Sequence, residues 1–275
     1  MATAQQGAPK SPVVVAEGPS FEVAVSGEYF YFNRSSDFLG VGESAKAASK
    51  LKGGLAGAGV RISPLSSDNK NSFEINYRAG SLEGTPKYVL SPTFSLTSEI
   101  KDTRKELEIG GLYYLGKFIK SLRYGYFRME ESLENVLPSS SPATWDSKTG
   151  GLDPSNPKKY SRSMTNNSAY FGISSGWATS PSQGKNDAIY GLKLDADLQA
   201  GELQSNFLSL SAKQSKSAFF GLPHRATLYT RTFIGQTSTV FGEAGYRGVY
   251  NFSSSGGVKG YDSGLFARAG FSWSF

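Results

Sequence analysis

The last twelve residues, GLFARAGFSWSF (Gly264–Phe275), decide the fold because they alternate between two kinds of side chain. One face carries six apolar side chains in succession: Leu265, Ala267, Ala269, Phe271, Trp273 and Phe275. The opposite face includes Arg268, Gly270, Ser272 and Ser274. Successive side chains of a β-strand point to opposite faces of a sheet. The segment is therefore predicted to be a strand with one apolar and one polar face.

The same alternation recurs along the chain between clusters of turn-forming residues, and it predicts an all-β protein. The predicted strands are 21–31, 55–63, 73–79, 88–100, 107–115, 122–126, 169–177, 190–198, 206–213, 224–234, 240–252 and 264–275. These make about twelve strands, within a range of about ten to fourteen, and an even number is typical of single-chain barrels.

The composition excludes several other kinds of protein. The chain has 32 Gly, 18 Phe and 15 Tyr but only 3 Met, which suits curved strands better than packed helices. No stretch approaches the roughly 18 to 20 apolar residues of a membrane-spanning helix. A barrel strand exposes only alternate residues to lipid, so it spans a membrane while being polar on average. The absence of Cys excludes disulfides, thiolate metal sites and a cysteine nucleophile.

Phe271, Trp273 and Phe275 resemble the carboxy-terminal signature of Gram-negative outer-membrane proteins, which end in Phe preceded by alternating hydrophobic or aromatic positions. The resemblance implies a single transmembrane antiparallel β-barrel in the bacterial outer membrane. It also implies recognition by the barrel-assembly machinery, and contact with outer-membrane lipid and lipopolysaccharide. Aromatic clusters at 29–32 and 124–127 fit an interfacial girdle. The alternative for the terminal aromatics is an edge strand of a soluble sandwich.

The chain divides into an arm and a barrel. Residues 1–19 are rich in Pro, Gly and Gln and are predicted to form a flexible arm that hangs in the periplasm or enters the lumen. Residues 20–275 form the barrel, with a long loop at 130–165. The amino terminus lacks a charged segment followed by an apolar one, so we expect that a signal peptide has been removed and that Met1 is a recombinant start.

Strand parity tests the count, because short periplasmic turns and longer outer loops must alternate. With twelve strands, the 130–165 loop would lie on the periplasmic side. Either this segment is an unusual periplasmic or lumen-filling insert, or residues 88–100 belong to an outer loop and a short strand near Tyr160 restores the count. We favour the second interpretation.

The side chains that the alternation assigns to the inner face include eight acidic and eight basic ones. Such a balanced interior suits a lumen that is filled by water or by salt bridges. The acids are Glu22, Glu28, Glu74, Glu106, Glu108, Asp195, Asp197 and Glu243, and the bases are Arg78, Arg123, Lys193, Lys213, Arg225, Arg231, Arg247 and Arg268. The residues predicted to line a pore are Arg78, Arg123, Lys193, Asp195, Asp197, Arg231, Glu243, Arg247 and Arg268.

These residues predict a porin-like channel for passive diffusion of small hydrophilic solutes. Arg231, Arg247 and Arg268 on successive strands would form a basic wall with a weak preference for anions, softened by Glu243. The alternative is a barrel plugged by its own ion pairs that serves a structural or surface-interaction role. Closure of the barrel would bring Arg268 to the depth of Glu28, where the two could pair across the seam.

An enzyme is the third possibility. The chain has one histidine, His224. It lies in Gly221–Arg225, which is predicted to be the outer end of a strand. An outer-membrane lipid or peptide hydrolase would have its active site at that level. The surrounding sequence matches no hydrolase motif, so we expect no catalytic residues. Asp195 and Asp197 without a calcium-loop pattern predict no metal site, and no cofactor is expected. The net charge of +6 contains no basic cluster longer than Lys158-Lys159, so nucleic-acid binding is not expected.

Overall fold

The computed structural model describes residues 21–35, 46–63, 71–85, 87–91, 94–115, 119–136, 159–179, 188–207, 215–234, 237–253 and 260–275. These ranges contain twelve strands: β1 (Phe21–Ser35), β2 (Lys46–Ile62), β3 (Asn71–Gly84), β4 (Lys87–Ser91), β5 (Phe94–Thr97), β6 (Glu99–Tyr114), β7 (Ile119–Val136), β8 (Lys159–Ala178), β9 (Ala188–Phe207), β10 (Ser215–Ile234), β11 (Ser238–Ser253) and β12 (Gly260–Ser274).

None of the described ranges contains a helix that is long and apolar enough to cross a membrane.

Ten of these strands close into one antiparallel barrel. The hydrogen-bonded order is β1-β12-β11-β10-β9-β8-β7-β6-β3-β2, and β2 pairs again with β1. The remaining two, β4 and β5, form a hairpin outside this ring, in which Lys87–Val89 pair with Lys46–Ala48 at the end of β2. The predicted single antiparallel β-barrel is confirmed, and its ten strands lie within the expected range.

Two predicted strands are not strands of the barrel. Residues 88–91 and 94–97 lie in the β4–β5 hairpin, and Ile100 belongs to β6. The second interpretation of the parity conflict is therefore correct in removing this segment from the ring. Its separate short strand near Tyr160 is wrong, because β8 is one strand from Lys159 to Ala178. The ring keeps an even count because residues 206 and 207 belong to β9.

The predicted strand 206–213 does not begin as a separate strand, because β9 continues without a turn to Phe207. Residues 208–214 lie outside the described ranges. Ala200-Gly201-Glu202 fall between the predicted strands 190–198 and 206–213, but they are paired residues inside β9. Gly201 is required there because an added Cβ would collide with the carbonyl oxygen of Asn167 on β8.

Most strands are longer than the sequence pattern predicts. The loop expected at 130–165 is shorter, because β7 continues to Val136 and β8 begins at Lys159, paired with each other throughout. The residues between them, and the arm at 1–19, lie outside the described ranges. Similarly, β10 begins at Ser215 rather than near His224. In each case the added residues lie at the end of the barrel opposite Phe21 and Phe275.

A belt of exposed apolar side chains surrounds the half of the barrel near the chain termini. On β1 it extends from Phe21 to Tyr31, and on β12 from Phe275 to Leu265. Other large members are Ile75, Tyr77, Tyr113, Tyr124, Tyr126, Phe171, Ile173, Trp177, Tyr190, Leu192, Leu194, Leu198, Leu222, Leu228, Ile234, Val240, Tyr246 and Tyr250. Tyrosines lie at both of its edges, with Tyr31 and Tyr250 at the upper one and Tyr113 and Tyr190 at the lower one, as in the aromatic girdles of membrane interfaces. We call this part of the wall the membrane band.

Above the membrane band the alternation is inverted. This region, the outer extension, comprises residues 32–35, 46–52, 81–84, 99–105, 128–136, 159–167, 201–207, 215–219 and 260–262. Its inward apolar side chains are buried: Leu51, Leu82, Ile100, Leu133, Met164, Leu203 and Phe219. Its outward positions include the exposed Lys52, Glu83, Lys101 and Lys216. An apolar interior and a polar surface are expected where water rather than lipid surrounds the wall.

Candidate functional site in the barrel lumen

The lumen is filled by charged side chains at three levels. On β1, Glu22, Glu28 and Arg34 point inward at steps of six residues, which separates the levels by about 20 Å along the strand. At the lowest level, Arg61 of β2 pairs with Glu74 of β3 at 2.7 Å and with Glu22 at 3.6 Å. Arg231 of β10 reaches Glu22 from the other side, also at 3.6 Å. The ion pairs of this level therefore link β10 to β3 across the junction of β1 and β12, where the barrel closes.

The middle level spans the full width of the lumen. Arg78 of β3 pairs with Glu28 of β1 at 3.3 Å and with Glu106 of β6 at 3.0 Å. The carboxylate of Glu106 also lies 3.8 Å from the guanidinium of Arg247 on β11. Since β11 and β6 are diametrically opposite in the ten-strand ring, this chain of ion pairs crosses the whole lumen.

A second group completes the middle level on the side of β7 to β9. Arg123 of β7 contacts Glu108 at 3.1 Å, Asp197 at 3.1 Å and Asp195 at 3.5 Å. Lys193 adds a contact with Asp195 at 3.3 Å. Three carboxylates thus share Arg123, which fixes the guanidinium in the middle of the group.

The highest level, which we call the outer cluster, lies in the outer extension and outside the membrane band. Arg34 of β1 reaches Asp102 of β6 at 3.0 Å, Glu131 of β7 at 2.5 Å and Asp262 of β12 at 3.4 Å. Arg104 also binds Asp102, at 2.9 Å. The side chains of Arg34 and Asp102 are 1% and 0% exposed. Burial raises the pKa of Asp102 to about 6, although Arg104 and Arg34 act in the opposite direction.

An upper and a lower cavity lie between these levels. The upper cavity, of about 170 Å³, lies beneath Met164, Leu203 and Phe219 and reaches the middle level. The lower cavity, of about 130 Å³, extends from the middle level to Glu22, Arg61 and Arg231. Five charged side chains line both of them: Arg78, Glu108, Arg123, Asp195 and Arg225. The cavities are therefore stacked along the barrel axis and separated by this layer.

All nine residues that the sequence suggests as pore-lining point into the lumen. Arg247 and Asp197 line the upper cavity; Lys193, Arg231, Glu243 and Arg268 line the lower one; Arg78, Arg123 and Asp195 line both. The three arginines of the expected basic wall each have a carboxylate neighbour, namely Glu22, Glu106 and Glu243 at 3.5 to 3.8 Å. The wall is therefore partly neutralised rather than uniformly basic.

The expected ion pair across the seam does not form, although the register is as expected. Glu28 lies directly opposite Arg268 in the β1–β12 ladder, and both point inward. Arg268 instead contacts Glu243 at 3.5 Å and donates a hydrogen bond to Ser26 Oγ at 3.0 Å, while Glu28 pairs with Arg78. Glu243 is also a direct ladder partner of Arg268, on β11. Glu28 is already engaged by Arg78, so Arg268 pairs with Glu243.

Sequence reasoning missed two groups of lumen residues. Arg61 was not counted among the inward charges, although it lies within the predicted strand 55–63. The outer cluster was missed because the predicted strands stopped short of it. The apolar lining of the upper cavity was also missed: Phe127, Met129, Met164, Leu203 and Phe219. Their signal was present as continued period-two alternation, but with the apolar set on the inner face.

His224 is not at the end of a strand, where the hydrolase hypothesis expected it. It is an internal residue of β10 and shares the outward face with Leu222 and Leu228. Its Nδ1 lies 3.2 Å from the carbonyl oxygen of Leu222, and its Nε2 lies 3.2 Å from the hydroxyl of Tyr261. The ring stacks with Tyr250 and Tyr261 at centroid distances of 5.9 Å. His224 is thus part of the aromatic edge of the membrane band.

The carboxy-terminal aromatics lie on the outer wall beside the first strand. Trp273 and Phe275 are exposed, and the rings of Phe271 and Trp273 lie 4.4 Å apart. β12 pairs with β1 along its length. The role of these three residues as an assembly signal stays a prediction.

No protein-family model matches the chain, and no curated protein sequence matches it either. Among solved structures, the chain is similar to the outer membrane protease OmpT of Escherichia coli, with a TM-score of 0.51, 9% identity, and coverage of 95% of this chain and 98% of that one. The translocator domain of the autotransporter NalP from Neisseria meningitidis has a TM-score of 0.39, 10% identity and coverage of 92% and 88%. The toluene transporter TodX of Pseudomonas putida has a TM-score of 0.30, 12% identity and coverage of 94% and 89%.

The similarity to OmpT concerns the fold alone, since so few residues are identical. Together with the closed ring of strands and the membrane band, it identifies the architecture as that of a Gram-negative outer-membrane β-barrel. At the level of the fold, the predicted class of protein and its outer-membrane location are confirmed.

Proposed function

We propose that the protein is a narrow outer-membrane channel for small hydrophilic solutes, with a weak preference for anions. The observation that carries the proposal is the meeting of two stacked cavities at one layer of charged side chains. This divider consists of side chains, and side chains change rotamer far faster than backbone segments rearrange. A solute passing from one cavity to the other would displace ion pairs and replace their contacts with its own.

The charge of the lower cavity supports the anion preference. Seven basic and five acidic side chains line it, so the basic ones are in excess by two. Arg231 is about one-third exposed there, at the level nearest the chain termini. A fixed positive excess in a narrow polar passage raises the local concentration of anions. The carboxylate neighbour of each wall arginine keeps the preference weak.

A filled barrel with a structural or surface-interaction role is the second candidate. It is favoured by the chain of ion pairs that crosses the lumen from Arg247 to Glu28, and by the complete burial of Arg34 and Asp102 above it. Our proposal includes no catalytic step, because His224, on which a hydrolase would have depended, lies on the outer wall.

Conductance of the purified protein in planar lipid bilayers separates the two candidates. The channel requires small discrete current steps for the wild-type protein. Arg247→Ser removes the link between β11 and β6 and should increase the step size. Arg128→Ser is the matched control, because Arg128 is an exposed arginine on the outer wall and should leave the steps unchanged. Absence of steps in both the wild-type protein and Arg247→Ser would establish the filled barrel instead.

Reversal potentials in a potassium chloride gradient test the anion preference. The double substitution of Arg231 and Arg268 by Ser removes two of the seven bases of the lower cavity and should shift the reversal potential toward cation selectivity. An unchanged reversal potential would contradict a role of these arginines in selectivity. Arg128→Ser provides a control in which a positive charge is removed from the outer wall and not from the lumen.

A further inference from the structure

The upper cavity combines a charged floor with apolar walls. Phe127, Met129, Pro223 and Val249 line its sides, and the buried Met164, Leu203 and Phe219 pack together above them. At about 170 Å³ the cavity is close to the roughly 150 Å³ of an engineered apolar cavity that binds benzene. One aromatic ring or a short aliphatic chain therefore fits between these walls.

Arg225 stands out on the floor of this cavity. Among the described residues it forms no ion pair, whereas Arg78, Arg104, Arg123 and Arg247, which line the same cavity, each have a carboxylate within 4 Å. Its guanidinium carbon lies 5.3 Å from the centre of the Phe266 ring. Because the Phe266 ring contacts the flat face of the guanidinium, the N–H groups along the guanidinium edge remain available to an anion.

Arg247 places a second guanidinium beside Arg225. The two residues are direct partners in the β10–β11 ladder and both point inward. Like charges opposite each other in a ladder repel, and the contact of Arg247 with Glu106, at 3.8 Å, relieves this only in part. Arg247 packs its guanidinium over the Phe30 ring at 3.9 Å. An anion bound between the two arginines would remove the repulsion.

The acidic residues of the floor are already occupied by other cations. Glu106 contacts Arg78 at 3.0 Å, and Asp195, Asp197 and Glu108 surround Arg123. The positive charge available to a ligand is therefore concentrated on the β10–β11 side, directly below Pro223 and Val249, which lie two residues above Arg225 and Arg247 on the same inward faces.

We infer that the upper cavity binds a small amphipathic monocarboxylate, with its carboxylate on Arg225 and Arg247 and its ring or short chain between the apolar walls below Met164, Leu203 and Phe219. The inference deepens the proposed channel by naming a class of solute. Binding at equilibrium does not require conduction, however, so the two can fail separately.

Isothermal titration calorimetry of the wild-type protein in lipid nanodiscs, with phenylacetate as the probe, tests the site. Phenylacetamide has the same shape without the charge, and acetate has the charge without the ring. We expect both to bind at least about tenfold more weakly than phenylacetate, because each loses one half of the contacts. Equal affinity for phenylacetate and phenylacetamide, or no binding of phenylacetate, would overturn the inference.

Two arginine variants locate the binding position. Arg225→Ser should weaken phenylacetate binding by about tenfold or more, as expected when a charge-assisted hydrogen bond is lost. Arg231→Ser is the matched control, because Arg231 is also on β10 and in the lumen but lines only the lower cavity. Equal losses in the two variants would mean that phenylacetate responds to net charge rather than to this site. If bilayer recordings show no current while phenylacetate still binds with this pattern, the channel fails and the binding site stands.

Discussion

The membrane band and the outer extension are two regions of one continuous wall that bury opposite kinds of side chain. In the membrane band, Leu228 is 64% exposed on the outside while charged residues such as Glu28 are buried inside. In the outer extension, Leu82 is buried inside while Glu83 is exposed outside. The backbone pairing is the same in both regions. The difference shows that the medium around each level, and not the strand itself, sets which face is apolar.

Both regions contain buried charge, but they organise it differently. The middle level of the membrane band borders two cavities, whereas the outer cluster is nearly inaccessible, with Arg34 and Asp102 at 1% and 0% exposure. Water in the cavities can solvate the charges of the middle level, but it cannot reach the charges of the outer cluster. Substitutions should therefore have their largest effects in the outer cluster.

Arg34→Met tests this difference most strongly. It would leave Asp102, Glu131 and Asp262 without their shared cation, and removing one partner of a buried ion pair costs about 3 to 5 kcal/mol. Urea unfolding in lipid vesicles, followed by tryptophan fluorescence, would measure the loss. Arg128→Met, at an exposed ion pair of the same region, should leave the unfolding free energy unchanged. Equal stability of the two variants would show that the outer cluster contributes nothing.

Leu133→Ala tests the apolar interior of the outer extension. Leu133 is 1% exposed, and truncating a buried leucine costs about 2 to 5 kcal/mol. Leu194→Ala, at a lipid-facing position of the membrane band that is 46% exposed, should cost less because lipid fills the space left behind. The same unfolding measurement ranks the two. A larger loss for Leu194→Ala would contradict the inverted alternation.

Leu228→Lys tests the outer face of the membrane band. A lysine facing the middle of the bilayer costs about 2 to 4 kcal/mol in a transmembrane barrel. Thr103→Lys places the same side chain on the exposed outer face of β6 in the outer extension, where surface substitutions usually change stability by less than about 0.5 kcal/mol. The fraction that folds into vesicles, read from gel mobility without heating, reports both. Equal losses of the folded fraction in the two variants would contradict the placement of Leu228 in lipid and Thr103 in water.

Gly248→Ala tests the packing at the boundary between the two regions. An added Cβ would lie 2.5 Å from Nε2 of His224 and 2.7 Å from the hydroxyl of Tyr261, so the aromatic group must shift, at a cost of about 1 kcal/mol. Gly27→Ala in the membrane band meets nothing within 4 Å and should not destabilise the protein. Thermal unfolding scans of the two variants provide the comparison. Identical transitions would mean that the aromatic group adapts freely.

The sequence predicted the faces of the strands well wherever lipid imposes its pattern. The inward assignments of Arg123, Asp195 and Arg231 agree with the structure, because an apolar outer face in the membrane band leaves only one phase for the charges. The strand ends were predicted poorly. Phe219 falls outside the predicted strand 224–234. The alternation continues there along β10 with the apolar set on the inner face, and this change resembles the end of a strand.

By itself the sequence determined an antiparallel barrel with a lipid-facing apolar set and a charged lumen, because period-two alternation records which face meets lipid. Only the tertiary structure decided how the charges pair. Arg34 forms ion pairs with Asp102 and Glu131, which belong to strands that are not neighbours of β1. Arg268 forms an ion pair with Glu243 and not with Glu28, although both lie opposite it in the sheet. These choices depend on the curvature and stagger of the closed ring, which bring distant strands within reach across the lumen and which no local pattern encodes.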